Sequence, residues 1–280
     1  MGVMKTTNSD AFFQFLKLEG DQIQLAEGAL LIAQDVYPEL DIDFYLQQLD
    51  QMAAELQAQI GEGLDSSEQV NSLNHYLFAE QGFKGNRDDY YDHRNSYLNE
   101  VLERKLGIPI TLSIVYIEVG KRIGLPLVGV GFPGHFLVKH KGQYLDIFID
   151  PFEEGQLLSE ETFSERLEQS YGQPVPMQPQ FLLEVTNKQI LARMLRNLKQ
   201  LHYKQGEYEK AVKAGEKITW LEPESAQDHR DLGYLYYQVN SYGQSVSAFK
   251  EYLRLANDPP DREDIVKNIR IIMKQLAILN

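Results

Sequence analysis

Apolar positions recur along this chain with two different periods, and the change of period divides it. From Ile23 to Val36 the run IQLAEGALLIAQDV predicts a helix, which Pro38 stops by disfavouring helix at Tyr37. Asp41 or Asp43 can cap the next helix, which runs to about Ile60, with Leu46, Leu49, Met52, Ala53 and Leu56 forming one apolar stripe. A shorter helix is expected over 10–18. Another opens at Ser66 or Ser67 and stops at Gly82. After the polar, tyrosine-bearing loop 82–96, a helix over 97–106 ends at Gly107. Pro109 then stands where the next helix begins, because its missing N–H costs nothing in a first turn. Ile110, Ile114, Val115, Ile117, Val119 and Ile123 make that helix apolar on most faces, which predicts a central position.

Beyond Gly124 the period shortens. Residues 125–131 lead into a strand over 136–140. Lys141-Gly142 reads as a two-residue turn, and 144–150 as the return strand, closed by Pro151. A helix over 159–170 follows, then the proline-rich 172–179, the best linker in the chain. Phe181–Val185 is a candidate for one more strand. From about Asn187 the pattern is purely helical and repeats itself. Leu198/Leu232, Leu201/Leu235, Tyr203/Tyr237, Tyr208/Tyr242, Val212/Val246, Ala214/Ala248 and Leu221/Leu255 are each 34 residues apart, the tetratricopeptide period. Two such units are expected, with a final helix over 261–279 covering the open end. The expected fold is α+β. A domain over 1–185 precedes an all-α repeat domain over 186–280. Within the first domain, residues 1–96 are expected to be helical, and residues 97–185 to form a core with a small antiparallel sheet.

Composition narrows the chemistry. The chain has no cysteine, which excludes disulfides, thiolate metal sites and a thiol nucleophile, and it suits a cytoplasmic protein. Its net charge of −14 argues against nucleic acid and anionic membrane surfaces as partners. No run approaches the ~18 apolar residues of a membrane span, and no secretory leader is expected. Gly2 with Thr6 fits only a loose myristoylation pattern.

The hairpin carries the candidate chemistry. With Lys141-Gly142 as the turn, His140 faces Gln143 and His135 faces Phe148. His135, Leu137, Asp146, Phe148 and Asp150 then share one strand face, while Leu145, Ile147 and Ile149 point into a core. Asp146 or Asp150 is thereby set beside the His135 imidazole, as in the orienting pair of a nucleophilic triad or in a purely structural contact. His140 lies on the opposite face, so the two histidines make no simple metal pair. A nucleophile belongs at the start of the 109–123 helix, where Pro109 is inert and Thr111 and Ser113 are alcohols suited to a helix start.

Three stretches carry a resemblance. They are 26–53 (AEGALLIAQDVYPELDIDFYLQQLDQMA), 97–140 with its GIPITLS and GFPGHFLV motifs, and 148–159 (FIDPFEEGQLLS). Together with the repeats they resemble the SirB-type family, in which a transglutaminase-like domain precedes tetratricopeptide repeats. The resemblance implies a papain-like core whose central helix opens on a catalytic Cys. Here, counting back from Gly124 of RIGLP reaches Pro109 at that position, while the family's His and Asp match His135 and Asp150. The implied reading is a triad remnant without its nucleophile, a pseudoenzyme with no cofactor and no metal that binds a protein or peptide. The alternative is a hydrolase or acyltransferase that uses His135 with Asp150 or Asp146 and an unidentified nucleophile or water. On the repeats, Arg196, Gln200 and Lys204 share a helix face, with Arg230, Tyr234 and Gln238 one period later, and form a candidate binding surface.

Overall fold

The structure is a computed structural model that describes residues 8–19, 23–61, 63–142 and 145–279. Gly2 and Thr6, and the hairpin residues Gln143 and Tyr144, lie outside them. The described residues group into two compact units, one made of 19–190 and the other of 191–279 together with residues 8–18 of the first helix, α1 (Asn8–Glu19).

The larger unit opens with α2 (Leu25–Ala33), buried along most of its length, and α3 (Ile42–Gln59). Of the two possible caps for α3, Asp41 is the one used, accepting the Phe44 N–H at 3.2 Å. Leu49, Met52, Ala53 and Leu56 form the buried stripe of α3. α4 (Ser66–Asn74) starts in a capping box between Asp65 and Glu68, and widens into a π-helical turn over His75–Glu80 before Gly82. β1 (Lys84–Gly85) pairs in parallel with β2 (Leu106–Gly107), on either side of α5 (Leu98–Arg104). Then comes α6 (Pro109–Arg122), in which every residue from Pro109 to Gly120 is buried, as its apolar faces predict.

β3 (Leu127–Val130), β4 (Leu137–His140), β5 (Ile147–Asp150), β6 (Gln156–Leu157) and, after α7 (Glu160–Tyr171), β7 (Glu184–Val185) form one antiparallel sheet in the order β6-β5-β4-β3-β7. α6 packs against β3 and β4. Phe163 and Leu167 of α7 bury themselves with Val130 and Leu137. The strand β3 goes beyond the reading of 125–131 as a lead-in. Gly129 weakens the strand pattern there, yet its missing side chain is what the packing needs, since a Cβ would sit 2.8 Å from the Phe136 ring.

The hairpin register also differs from the expected one. Val138 pairs with Ile149, Lys139 with Phe148 and His140 with Ile147, so the connection is six residues long, not two. The ladder is displaced by four positions. Because strand side chains alternate with period two, an even displacement leaves every residue on its expected face. Leu145 and Asp146 are the exceptions: both fall in the connection, and Leu145 is 79% exposed rather than in the core.

The second unit is helical. α8 (Asn187–Lys204) and α9 (Tyr208–Leu221) are followed by α10 (Ala226–Gln238) and α11 (Tyr242–Leu255), and α11 begins and ends 34 residues after α9. The boundary between the units falls within α8. α10 and α11 approach closely at Gly233, where a Cβ would meet the Phe249 ring at 2.6 Å. α12 (Arg262–Leu279) buries Ile265 and Ile272 against Val246, Phe249 and Tyr252 of α11, the covering role expected of it. Phe13 of α1 meets Trp220 of α9, with ring centroids 5.2 Å apart.

Candidate functional site

His135 is delivered by a tight turn. Phe132-Pro133-Gly134-His135 closes with the His135 N–H donating to the Phe132 carbonyl at 3.1 Å, and Gly134 takes φ +69°. Proline at the second position and glycine at the third suit a type II turn. Gly134 is doubly required, because a Cβ there would also strike the Ser170 hydroxyl. The imidazole then lies beside the end of β5, with Nε2 2.9 Å from each oxygen of Asp150.

Asp150 is fully buried and does three things. It holds His135. It caps the 3-10 turn Pro151–Glu153, accepting from the Phe152 and Glu153 N–H groups at 3.0 and 3.4 Å. It also receives the Arg166 guanidinium from α7 at 2.6 Å. The Phe152 ring stands edge-on to the imidazole at 6.0 Å and packs onto Gly85, where a Cβ would lie 2.6 Å from it. Asp146, the other sequence candidate, sits in the connection instead and meets Lys139 at 3.4 Å. Of the two, only Asp150 belongs to the paired strand, and it lies far enough along the displaced ladder to meet His135.

A His–Asp pair orients a base, and the base needs a nucleophile. Pro109 occupies the first residue of α6 and has no reactive side-chain atom. Thr111 is fully buried and spends its hydroxyl on structure, accepting from the Ile108 N–H at 3.1 Å and donating to the Asn95 carbonyl at 2.7 Å. The Ser113 hydroxyl is also fully buried and meets no hydrogen-bond partner among the described residues, so no base among them takes its proton.

The tyrosine-bearing loop 82–96 is organised by polar side chains. Asp92 caps a 3-10 turn over His93–Ser96, accepting the Arg94 N–H at 3.0 Å. Burial works to raise its carboxyl, but Arg94 and Arg104 outweigh it and hold the group below the usual carboxylate range.

His140 is 1% exposed, on the opposite strand face from His135, and neither of its ring nitrogens meets a hydrogen-bond partner among the described residues. Burial pushes the imidazole below its ordinary 6.5, with Asp146 pulling weakly upward. Below pH 6.5 the unfolded chain therefore takes up a proton that the folded one refuses, and stability falls as pH falls. Urea midpoints compared at about pH 7 and about pH 5 should drop less for His140→Phe than for the unsubstituted protein. Equal drops would show that His140 is not the titrating group.

The repeat unit carries a cleft of about 480 Å³ between α8 and α10. Of the six residues anticipated on this surface, Arg196, Gln200 and Tyr234 line it, and Lys204, Arg230 and Gln238 do not. Lys204 and Gln238 are exposed, and Arg230 pairs with Asp261 at 2.9 Å. Strict four-residue spacing drifts around a helix of 3.6 residues per turn, whereas the lining of α8 mixes spacings of three and four through Arg196, Lys199, Gln200 and Tyr203. The cleft floor is an ion network. Asp228 accepts from Arg196 at 2.5 Å, Lys199 at 3.0 Å and Ser225 at 2.6 Å. Burial alone would raise the Asp228 carboxyl, but these donors outweigh it and bring it down to about 2.

Comparison with known proteins agrees with this architecture. Residues 43–196 match the transglutaminase-like superfamily and residues 198–270 the tetratricopeptide repeat. A UPF0162 protein of Xylella fastidiosa is 36% identical over 85% of this chain and 86% of its own. Protein SirB1 of Salmonella typhimurium is 23% identical over 94% of this chain and 97% of its own. The chain belongs to the SirB-type family of transglutaminase-like proteins. Mouse F-box only protein 21 shares 32% identity over 69% of the SirB-type chain, but only 34% of its own length is covered. Among the described residues no helix of this SirB-type chain is long and apolar enough to cross a membrane.

Proposed function

We propose that this chain is a non-catalytic interaction protein of the cytoplasm. Its transglutaminase-like unit serves as a frame, and its repeats hold a protein or peptide partner. The observation that carries this reading is Pro109 at the head of α6, in a chain without cysteine, with the neighbouring alcohols Thr111 and Ser113 sealed in the core. Acyl transfer without a nucleophile loses most of its rate. The repeats support the binding half of the reading, since stacks of this kind commonly present extended surfaces to partners.

A second reading has one observation in its favour. His135 keeps a triad-like bond to Asp150 with 16% of its side chain exposed, which suits a base that activates water. The two readings part on a direct assay. The purified full chain should hydrolyse p-nitrophenyl acetate and a peptide thioester no faster than buffer, and His135→Ala should leave that result and the helical circular dichroism unchanged. A hydrolysis rate in the unsubstituted protein that disappears in His135→Ala would overturn the non-catalytic reading.

A further inference from the structure

The cleft between α8 and α10 has a charge balance that its cations conceal. Arg196 and Lys199 both line it, and a positively charged groove would suit an acidic partner. Both cations are already neutralised, although Arg196 keeps 35% of its side chain exposed. The Arg196 guanidinium is shared between Asp228 and Glu222. The Lys199 ammonium sits between Asp228 at 3.0 Å and Asp231 at 2.8 Å, with 11% of its side chain exposed. Three carboxylates therefore answer two cations, and the network keeps one net negative charge. Asp228 titrates far below neutrality, so that charge is present at physiological pH. The most accessible carboxylate lining the cleft is Asp231, 34% exposed, with one oxygen held by Lys199 and the other accepting from Gln227 at 2.8 Å.

The walls add a second preference. Tyr203 and Tyr234 both line the cleft and are 49% and 42% exposed. Tyr234 is held in place edge-on against Phe249, with centroids 4.9 Å apart. Exposed tyrosine faces carry negative quadrupole potential and attract ammonium and guanidinium groups. Gln200 and Gln227 offer amides able to pair with a peptide backbone. An acidic segment would meet no unneutralised cation among the described residues that line the cleft. A basic one would meet two aromatic faces, a carboxylate and backbone-pairing amides. The −14 charge of the whole chain draws such a segment in at low ionic strength.

We infer that this cleft takes an extended peptide segment of a partner protein and seats a lysine or arginine side chain between the tyrosines, beside Asp231. The inference rests on the interaction reading above and names the chemistry of the partner at one of its surfaces.

Selection of a random linear peptide library, displayed on phage, against the immobilised full chain tests it. Binders enriched in Lys and Arg are expected. The best of them, synthesised with a fluorescent label, should lose affinity on the order of tenfold for Tyr234→Ala or Asp231→Asn. Its affinity should also fall as salt is raised. Tyr203→Ala serves as the aromatic variant if Tyr234→Ala, robbed of its contact with Phe249, does not fold. Binders enriched in Asp and Glu but lost on the same substitutions would overturn the charge assignment alone and leave the interaction reading standing. Binders indifferent to all three substitutions would overturn the cleft as the site. Recovery of no binder would overturn the peptide assignment, whereas the interaction reading fails only on the hydrolysis assay.

Discussion

Asp150→Ala should cost about 3–5 kcal/mol of folding stability, whatever the protein does chemically. The side chain is fully buried, and its removal strands three kinds of group at once. The Arg166 guanidinium loses a partner at 2.6 Å, with only 16% of its side chain exposed to solvent. His135 loses the carboxylate that orients its ring from 2.9 Å. The Phe152 and Glu153 N–H groups lose the acceptor that starts the 3-10 turn. A partly buried cation left with only a 3.4 Å contact to the Gln156 side chain is the dominant penalty, because breaking one side of such a pair leaves its desolvation uncompensated. Asp150→Asn keeps an oxygen for the turn and should cost clearly less. Urea unfolding at neutral pH measures both. An Asp150→Ala protein as stable as the parent would mean that the carboxylate contributes little to the fold.

Asp228→Ala should produce a loss of similar size in the repeat unit, about 3–5 kcal/mol, since Arg196, Lys199 and Ser225 all donate to this buried carboxylate. The acid limb of the stability curve gives an independent reading. The folded-state value near 2 lies below the ordinary 3.8, so the unfolded chain binds the proton more readily. The contribution is complete above about pH 4, and it is lost as pH falls from there towards 2. The shift corresponds to about 2 kcal/mol. Asp228→Asn should start from a lower midpoint and show a shallower decline between those limits. An unchanged acid limb would mean that the ion network contributes little.

Much of this molecule is legible in its sequence for physical reasons that can be named. The central helix is legible because Pro109 marks its first turn and its apolar residues surround it. The repeats are legible because their period survives in the residues that pack between helices. The His135–Asp150 face is legible even though the connection is longer than Lys141-Gly142 suggests, since alternation preserves the face under any even displacement. What is hidden depends on contacts that sequence spacing does not encode. β3 is masked by Gly129, whose value lies in the ring packed against it. Arg166 belongs to a helix crowded with charges, and nothing local marks it as the residue aimed at Asp150. The charge balance of the repeat cleft turns on Asp228 and Asp231, which come from a different helix than the cations they neutralise.

The several duties of Asp150 bear on how this family's history should be read. An aspartate that caps a turn and neutralises a partly buried guanidinium has reason to be kept for folding, with or without chemistry. Its presence therefore says nothing about whether a reaction is run, and the histidine leaning on it carries the same ambiguity. Pro109 is different in kind, because the first turn of a helix accepts many residues and the fold does not demand that one. Among relatives, the residue at the head of α6 is therefore a sharper marker of catalysis than the strand pair.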